Sequence, residues 1–187
     1  MKKIKTLFER DFKNNGKITD KAVTVLDNSY VATEKVDGTN VRVTVRKNTV
    51  VRVEKRRNPS KLEKAKGIIE PWYIDADEFS PEDKYIYEAV KGTDFTTIPD
   101  GEWSAEAYGE KIQGNPLKIV GHKLFVFSHL ETRAKHIIIG EPYDFNGLKE
   151  WLPKQKSTIN PNEIIEGIVW WKGETPLYKI KNKDFKN

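Results

Sequence analysis

Three features of the sequence predict an antiparallel α+β domain. Val41, Val43 and Val45 alternate with Arg42, Thr44 and Arg46, and after Lys47, Asn48 and Thr49 the alternation resumes with Val51 and Val53 against Arg52 and Glu54. A two-residue period with one polar face is the mark of a β-hairpin that buries one side only. Further along, Glu102 to Tyr108, Lys123 to His129 and His136 to Ile139 are short, aromatic or β-branched, and bounded by Gly or Pro, as strands between tight turns are. Finally, no G-x-G-x-x-G follows a strand, so nothing signals a doubly wound parallel sheet.

Taken in order, the stretch to Asn28 mixes charge with Leu7, Phe8, Phe12, Val23 and Val25 and reads as a short amphipathic helix, or loops, leading into a strand. That strand starts near Tyr30 and runs into the valine hairpin. Asn58 to Asp100 carries Pro59, Pro71, Pro81 and Pro99 among acidic residues; it reads as a covering or substrate-facing insertion with a short helix near Pro81 to Lys91. Asp75, Asp77 and Glu78 within it read as a solvated acidic loop. After the three short strands, Asp144 is placed to cap a helix over Phe145 to Leu152, which Pro153 helps to end. Ile164 to Trp171 and Leu177 to Lys181 are the closing strands.

Composition narrows the class. With 187 residues, 37% apolar and 33% charged, the chain is long enough and hydrophobic enough for one buried core, and too polar for a membrane protein. One domain over residues 1–187 is the expectation. No apolar run approaches the ~18 residues of a spanning helix, and the opening MKKIKTLFERDF interrupts its apolar positions with charge. The expected location is the cytoplasm, with no membrane partner. Zero cysteines exclude a disulfide framework and a thiolate metal site. The histidines at 122, 129 and 136 are not spaced as ligands on one helix and are assigned no zinc. The net charge is +5, a modest excess, but it is clustered: Arg46, Arg52, Lys55, Arg56 and Arg57 in one segment, Lys179, Lys181, Lys183 and Lys186 in another. Two basic clusters suit a phosphate-rich partner.

Five motifs carry the chemistry: EKVDGTN from Glu34 to Asn40, AEAYGEKIQGN from Ala105 to Asn115, LFVFSHL from Leu124 to Leu130, EGIVWW from Glu166 to Trp171, and YKIKNKDF from Tyr178 to Phe185. Lysine, one residue, then Asp-Gly is short enough to arise by chance; the weight lies in all five occurring in this order. No G-x-x-x-x-G-K-[ST] run is present, so phosphate cradling by a P-loop is excluded. Over about Tyr30 to Phe185 the chain resembles the covalent nucleotidyltransferase superfamily of polynucleotide ligases and mRNA capping enzymes. Within it, the likeness is to the phage RNA ligases of the nick-sealing, RNA-editing type.

The resemblance implies an antiparallel two-sheet fold with a nucleotide pocket between the sheets, ATP as cosubstrate, a lysyl-AMP intermediate and Mg²⁺ or Mn²⁺. It places the nucleophile at Lys35, with Asp37, Gly38, Thr39 and Asn40 completing the first motif. It places the arginine after the hairpin at Arg57, with Arg56 as the near alternative, and the third motif's carboxylate at Glu106. The adenine-stacking ring falls on Phe125 or Phe127, the metal-holding carboxylate on Glu166, and the last motif on Lys179 and Lys181. Glu34 is assigned to the adenine edge.

The residue chemistry agrees with those roles. A free lysine is neutral in only about one part in 2,500 at pH 7, a deficit of roughly 4.6 kcal/mol before it can attack phosphorus. Desolvation and nearby cations reduce that deficit, and Lys179 and Lys181, on one face of a strand, would also hold the α-phosphate. Carboxylate oxygen suits a hard divalent cation, hence Glu166. Asp37 is placed to orient the lysine, and Gly38 to let the backbone approach the nucleotide. Glu106 suits a ribose hydroxyl, and Arg57 the sugar or a phosphate. Phe125 and Phe127 share a face and serve equally as core residues.

The expected reaction joins RNA 5′-phosphate and 3′-OH ends, with DNA or RNA–DNA hybrid ends as alternative substrates. A DNA ligase or capping-type enzyme is the second reading, and a nucleic-acid-binding module without catalysis the third, which the intact lysines and carboxylates oppose. The sequence ends two residues after Phe185. No appended C-terminal domain is therefore expected, and a separate protein is expected to supply duplex engagement.

Overall fold

The computed structural model describes residues 3–186. In chain order the strands and helices are β1 (Lys5–Thr6), β2 (Phe8–Asp11), β3 (Lys17–Ala22), β4 (Val31–Lys35), β5 (Thr39–Arg46), β6 (Thr49–Arg57), α1 (Lys61–Ala65) and β7 (Trp72–Asp75). There follow α2 (Lys84–Lys91), β8 (Gly101–Gly109), β9 (His122–Phe125), α3 (Leu130–Ala134), α4 (Phe145–Trp151), β10 (Gly167–Lys172) and β11 (Thr175–Lys181). They form two compact units. A central unit is built from Asp37–Thr132, and a terminal unit from Ile4–Val36 together with the chain from Arg133 onward.

The central unit is a five-stranded antiparallel sheet in the order β7-β6-β5-β8-β9. The predicted valine hairpin is β5 and β6, with Val43 directly across from Val53. Its turn uses Lys47 and Asn48 at φ 48° and 59°, a pair of left-handed residues whose twist matches that of the strands they join. Asp100 accepts from the Lys47 N–H at 2.7 Å and fixes this turn. Val41, Val43, Val45, Val53, Ala105, Ala107 and Leu124 point to one face and bury Ile86 and Ala89 of α2. Burial of each larger aliphatic side chain contributes ~1.5–3 kcal/mol.

The terminal unit carries a four-stranded sheet in the order β1-β11-β10-β4, with β1 parallel to β11 and the other pairs antiparallel, and the separate hairpin β2-β3. Its core joins Leu7, Phe8, Ala32, Ile168, Trp170 and Ile180 to Leu148 of α4. Asp144 caps α4 as its position predicts, accepting from Gly147 N at 2.8 Å, and a 3-10 turn over Leu152–Lys154 follows.

Four expectations change. The N-terminal stretch forms strands instead of a helix, because Leu7 and Phe8 are fully sequestered in the terminal core and β1 adds to the edge of β11. The three sheets replace the expected two. Residues 58–100 are not only a covering insertion: β7 extends the central sheet, pairing Arg56 with Tyr73. His136 to Ile139 is no full strand but a single bridge between Ile137 and Thr33 on the edge of β4.

Candidate functional site

Within the terminal unit, the register of β4, β10 and β11 sets Lys35, Gly167 and Lys181 in one row across three neighbouring strands. Cross-strand partners share a face, so two lysines flank a position with no side chain. Glycine is obligatory there, since a Cβ on Gly167 would collide with the Ile180 carbonyl oxygen and stand 2.8 Å from Lys181 Cα. Glu166, just before β10, turns its carboxylate into the row. Its Oε2 accepts from Lys35 Nζ at 2.6 Å, and its Oε1 is ion-paired with Lys181 Nζ at 2.5 Å. The three side chains are only 17%, 13% and 19% exposed for Lys35, Glu166 and Lys181. One anion between two cations leaves a net positive centre, which a phosphate complements. Lys179, two residues before Lys181 in β11, shares its face.

Glu34 leaves β4 on the other side from Lys35 and is 1% exposed. Its Oε2 accepts from both Thr158 N at 2.7 Å and Thr158 Oγ1 at 2.6 Å, while the buried Oε1 has no hydrogen-bond partner. The Thr158 hydroxyl has one proton and gives it to Glu34, so His136 Nδ1, at 2.6 Å, is the donor to Thr158 Oγ1. Burial, reinforced by the charge of Lys135, pushes the His136 imidazole down to about 4 and keeps it neutral near pH 7. Ser157 Oγ accepts from Ile159 N and Asn160 N at 3.0 and 3.2 Å, closing a side-chain turn that holds Thr158 in place.

Within the central unit a second polar row lies on the sheet face opposite the aliphatic core. The register pairs Asn40 with Glu106, Glu106 with Phe125, and Arg56 with Tyr73, and the step after Val41–Lys55 puts Asn40 across from Arg56. Asn40 Nδ2 donates to Glu106 Oε2 at 3.3 Å, and the Tyr73 hydroxyl donates to Asn40 Oδ1 at 2.8 Å. Burial pushes the Tyr73 phenol up. In the adjoining row Arg42 grips the fully buried Glu54 through two bonds of 2.6 and 2.7 Å and stacks over Tyr73 at 4.8 Å, which fixes the ring. Arg42, first through its hydrogen bonds, holds the Glu54 carboxyl below the usual range. Gly38 sits so close to β8 that a Cβ would strike the Ala107 carbonyl oxygen and lie 2.9 Å from Glu106 Cγ. Its glycine is thus required by strand packing.

The sequence-assigned residues therefore fall into two groups. Lys35, Glu166 and Lys181 meet in the terminal unit, with Lys179 on the same strand face and Glu34 on the other side of β4. Asn40, Glu106 and Phe125 meet in the central unit. Arg57 does not join them: it lies on the opposite face, ion-paired with Glu63 at 3.1 Å and stacked over Trp72 at 4.8 Å. The register puts Arg56 in the row instead. Phe127 lies past the end of β9, edge-on to Phe125 with ring centroids 6.1 Å apart. Asp37 stands in the connection between β4 and β5. The structure adds Tyr73, Thr158 and His136; the aromatic and β-branched run Trp72–Ile74 could have flagged a strand at the first, but no local signal marks the other two. Among the described residues no group of three or more His, Asp or Glu side chains is placed to hold a metal ion, and no helix is long and apolar enough to cross a membrane.

No protein-family model matches the sequence, and no curated protein matches it. Among solved structures, the chain is similar to an RNA ligase mutant of Naegleria gruberi with ATP and Mn, at 14% identity over 98% of this chain and 61% of that one, with a TM-score of 0.48. A second mutant of that ligase with ATP and Mn aligns at 15% identity over 83% and 50% of the two chains, with a TM-score of 0.48. The ligase with pyrophosphate aligns at 17% identity over 83% and 50%, with a TM-score of 0.45. The chain thus spans roughly half to three-fifths of the length of the structures it matches.

Proposed function

We propose that this chain is an ATP-dependent polynucleotide adenylyltransferase that acts as an RNA ligase, with Lys35 as the nucleophile. The observation that carries the reading is the lysine row: Lys35 and Lys181 flank a compulsory glycine and share Glu166. The motif order in the sequence supports it. Attack requires the neutral amine, so the contact of Lys35 with Glu166 must be exchanged before the step. Lys35 Nζ then forms a bond to the α-phosphorus of ATP, the bond from that phosphorus to the pyrophosphate oxygen breaks, and the proton left on the new P–N nitrogen passes to solvent water. Lys181 and Lys179 hold the phosphate oxygens as charge builds on them. A 5′-phosphate oxygen of RNA next displaces Lys35 and takes AMP. A 3′-OH finally attacks the 5′-phosphorus, forming the phosphodiester and releasing AMP.

Glu166 is the single carboxylate of the row, and both of its oxygens are engaged by lysines. Such a donor set fits a divalent cation that arrives with the nucleotide, held by Glu166, phosphate oxygens and water, and does not fit a resident metal site. When bound, the cation would withdraw charge from the phosphates and from Glu166. Glu34 Oε1, a buried acceptor lacking a donor, suits an amino group of the base. In this reading the phosphate meets Lys35 and the base meets Glu34. Glu106 and Asn40 are the proposed sugar contacts, Phe125 or Phe127 the stacking ring, and Asp37 the residue that orients Lys35.

The test is incubation with α-labelled ATP or GTP and Mg²⁺ or Mn²⁺, followed by a denaturing gel. ATP labels the protein, GTP does not, and Lys35→Ala abolishes the label. For the substrate, pre-adenylylated strands are offered to partners ending in ribose or deoxyribose. Faster sealing to the ribose end is expected, because the 2′-OH distinguishes RNA while phosphate contacts do not; equal rates would remove the RNA preference and leave the adenylyltransferase.

A further inference from the structure

The Glu34 carboxylate is asymmetrically satisfied. Both donors of Thr158 converge on Oε2, whereas Oε1 is buried and has no hydrogen-bond partner. A carboxylate that rotated freely would share those donors between its oxygens. Thr158 cannot follow such a rotation, because its backbone is held by the Ser157 side-chain turn and by the backbone bond from Ser157 N to Glu163 O at 2.9 Å. Its hydroxyl is held from the other side by His136 Nδ1. The backbone of β4 is also pinned here, since Glu34 N donates to the His136 carbonyl at 2.9 Å. His136 therefore secures Glu34 twice, through its main chain and, by way of Thr158, through its side chain.

We infer that Thr158, locked by Ser157 and His136, is a positioning residue that makes the site selective for a 6-aminopurine over a 6-oxopurine nucleotide. The inference rests on the nucleotide reading above and deepens it. With Oε2 saturated, Oε1 is an acceptor with one direction and no donor of its own. A base presenting an N–H at that edge completes it. A base presenting a carbonyl there puts two acceptors face to face at a buried oxygen, and buried groups left unpaired in this way discriminate strongly between similar ligands. Thr158 does not touch the base; it acts by fixing which Glu34 oxygen remains and where it points.

The experiment compares covalent labelling by subsaturating α-labelled ATP and GTP in the full chain, wild type against Thr158→Val, Thr158→Ser and His136→Gln. Circular dichroism verifies that each variant is folded. Thr158→Val keeps the shape and the backbone N–H and removes the hydroxyl donor; its ATP-to-GTP ratio should fall about tenfold or more, and Thr158→Ser should restore it. His136→Gln, whose amide can still donate to the hydroxyl, should lie between. A merely structural role would lower both nucleotides together and leave the ratio unchanged, and that result overturns the inference alone. Should Thr158→Val not fold, the ratios for Thr158→Ser and His136→Gln decide: a wild-type ratio in Thr158→Ser with a lowered ratio in His136→Gln supports the donor-based account, and a wild-type ratio in His136→Gln or a collapse of discrimination in Thr158→Ser overturns it. No labelling of the wild type by either nucleotide would overturn the adenylyltransferase reading and this inference with it.

Discussion

Replacing Glu166 by Gln removes the one anion between Lys35 and Lys181 while preserving its size. The attraction between unit charges 2.6 Å apart amounts to roughly 6 kcal/mol at an effective dielectric constant near 20, most of it offset by the loss of hydration. Deleting one member of a fully buried pair costs about 3–5 kcal/mol. Here the side chains retain 13–19% exposure, so the expected loss is smaller, about 2 kcal/mol. With a urea slope of about 2 kcal/mol/M, the unfolding midpoint drops by ~1 M. Urea unfolding followed by tryptophan fluorescence reads this in the right place, since Trp170 is fully buried in the terminal unit. Because the loss stems from two ammonium groups left facing each other, adding Lys181→Met to Glu166→Gln should recover more than half of it. An unfolding free energy unchanged to within about 0.5 kcal/mol, or losses that simply add in the double variant, would refute the picture of one carboxylate shared by two lysines. In the labelling assay the same substitution should change the response to Mg²⁺ against Mn²⁺; identical metal titrations would remove Glu166 from metal binding.

Arg56→Ala should weaken labelling by ATP at low nucleotide concentration and Arg57→Ala should not, because only Arg56 shares a face with Asn40 and Glu106; the reverse order in a titration of labelling against ATP would contradict the register argument. Glu106→Gln should raise the ATP concentration needed for half-maximal labelling with little change in metal dependence, a result a metal-binding role for Glu106 would not give. For stability against pH, His136 is held near 4 in the fold and titrates near 6.5 when unfolded. The unfolded chain therefore binds the extra proton between these values, so the contribution is complete above about pH 6.5 and is lost as the pH falls toward 4. The difference in melting temperature between wild type and His136→Gln should shrink over that window, and a difference independent of pH would show that His136 is not held neutral.

Much of this was legible in the sequence where a period or a cap is local. The valine alternation marks β5, whose Val41, Val43 and Val45 are all buried, whereas in β6 a bulge leaves Val51 exposed and packs Val50 with Val53 against the core; Asp144 marks the start of α4 because its side chain is the cap. The N-terminal strands were not legible: β1 has two residues and β3 is largely exposed, so neither shows a period, and both exist through pairing with distant or neighbouring chain. Motif order assigned Lys35, Glu166 and Lys181 to one site, and the structure brings their side chains together. It placed the arginine at Arg57 with Arg56 as the alternative; in a strand one position decides the face, and the pairing of β6 with β5 and β7 sets Arg56, not Arg57, on the face of Asn40 and Tyr73. Motif order could not find Thr158, which lies 124 residues from Glu34 in a segment without regular structure.

The central claim is the identity of the nucleophile, and the most direct test is to map the adduct. The protein is incubated with ATP and Mn²⁺, digested, and searched by mass spectrometry for a peptide carrying one added AMP joined through a phosphorus–nitrogen bond, stable to alkali and cleaved by acid. The account predicts a single adduct, on Lys35, absent from Lys35→Ala and from Lys35→Arg, whose guanidinium keeps the charge but offers no neutral amine near neutral pH. An adduct on another residue, or one that persists in Lys35→Ala, would contradict it.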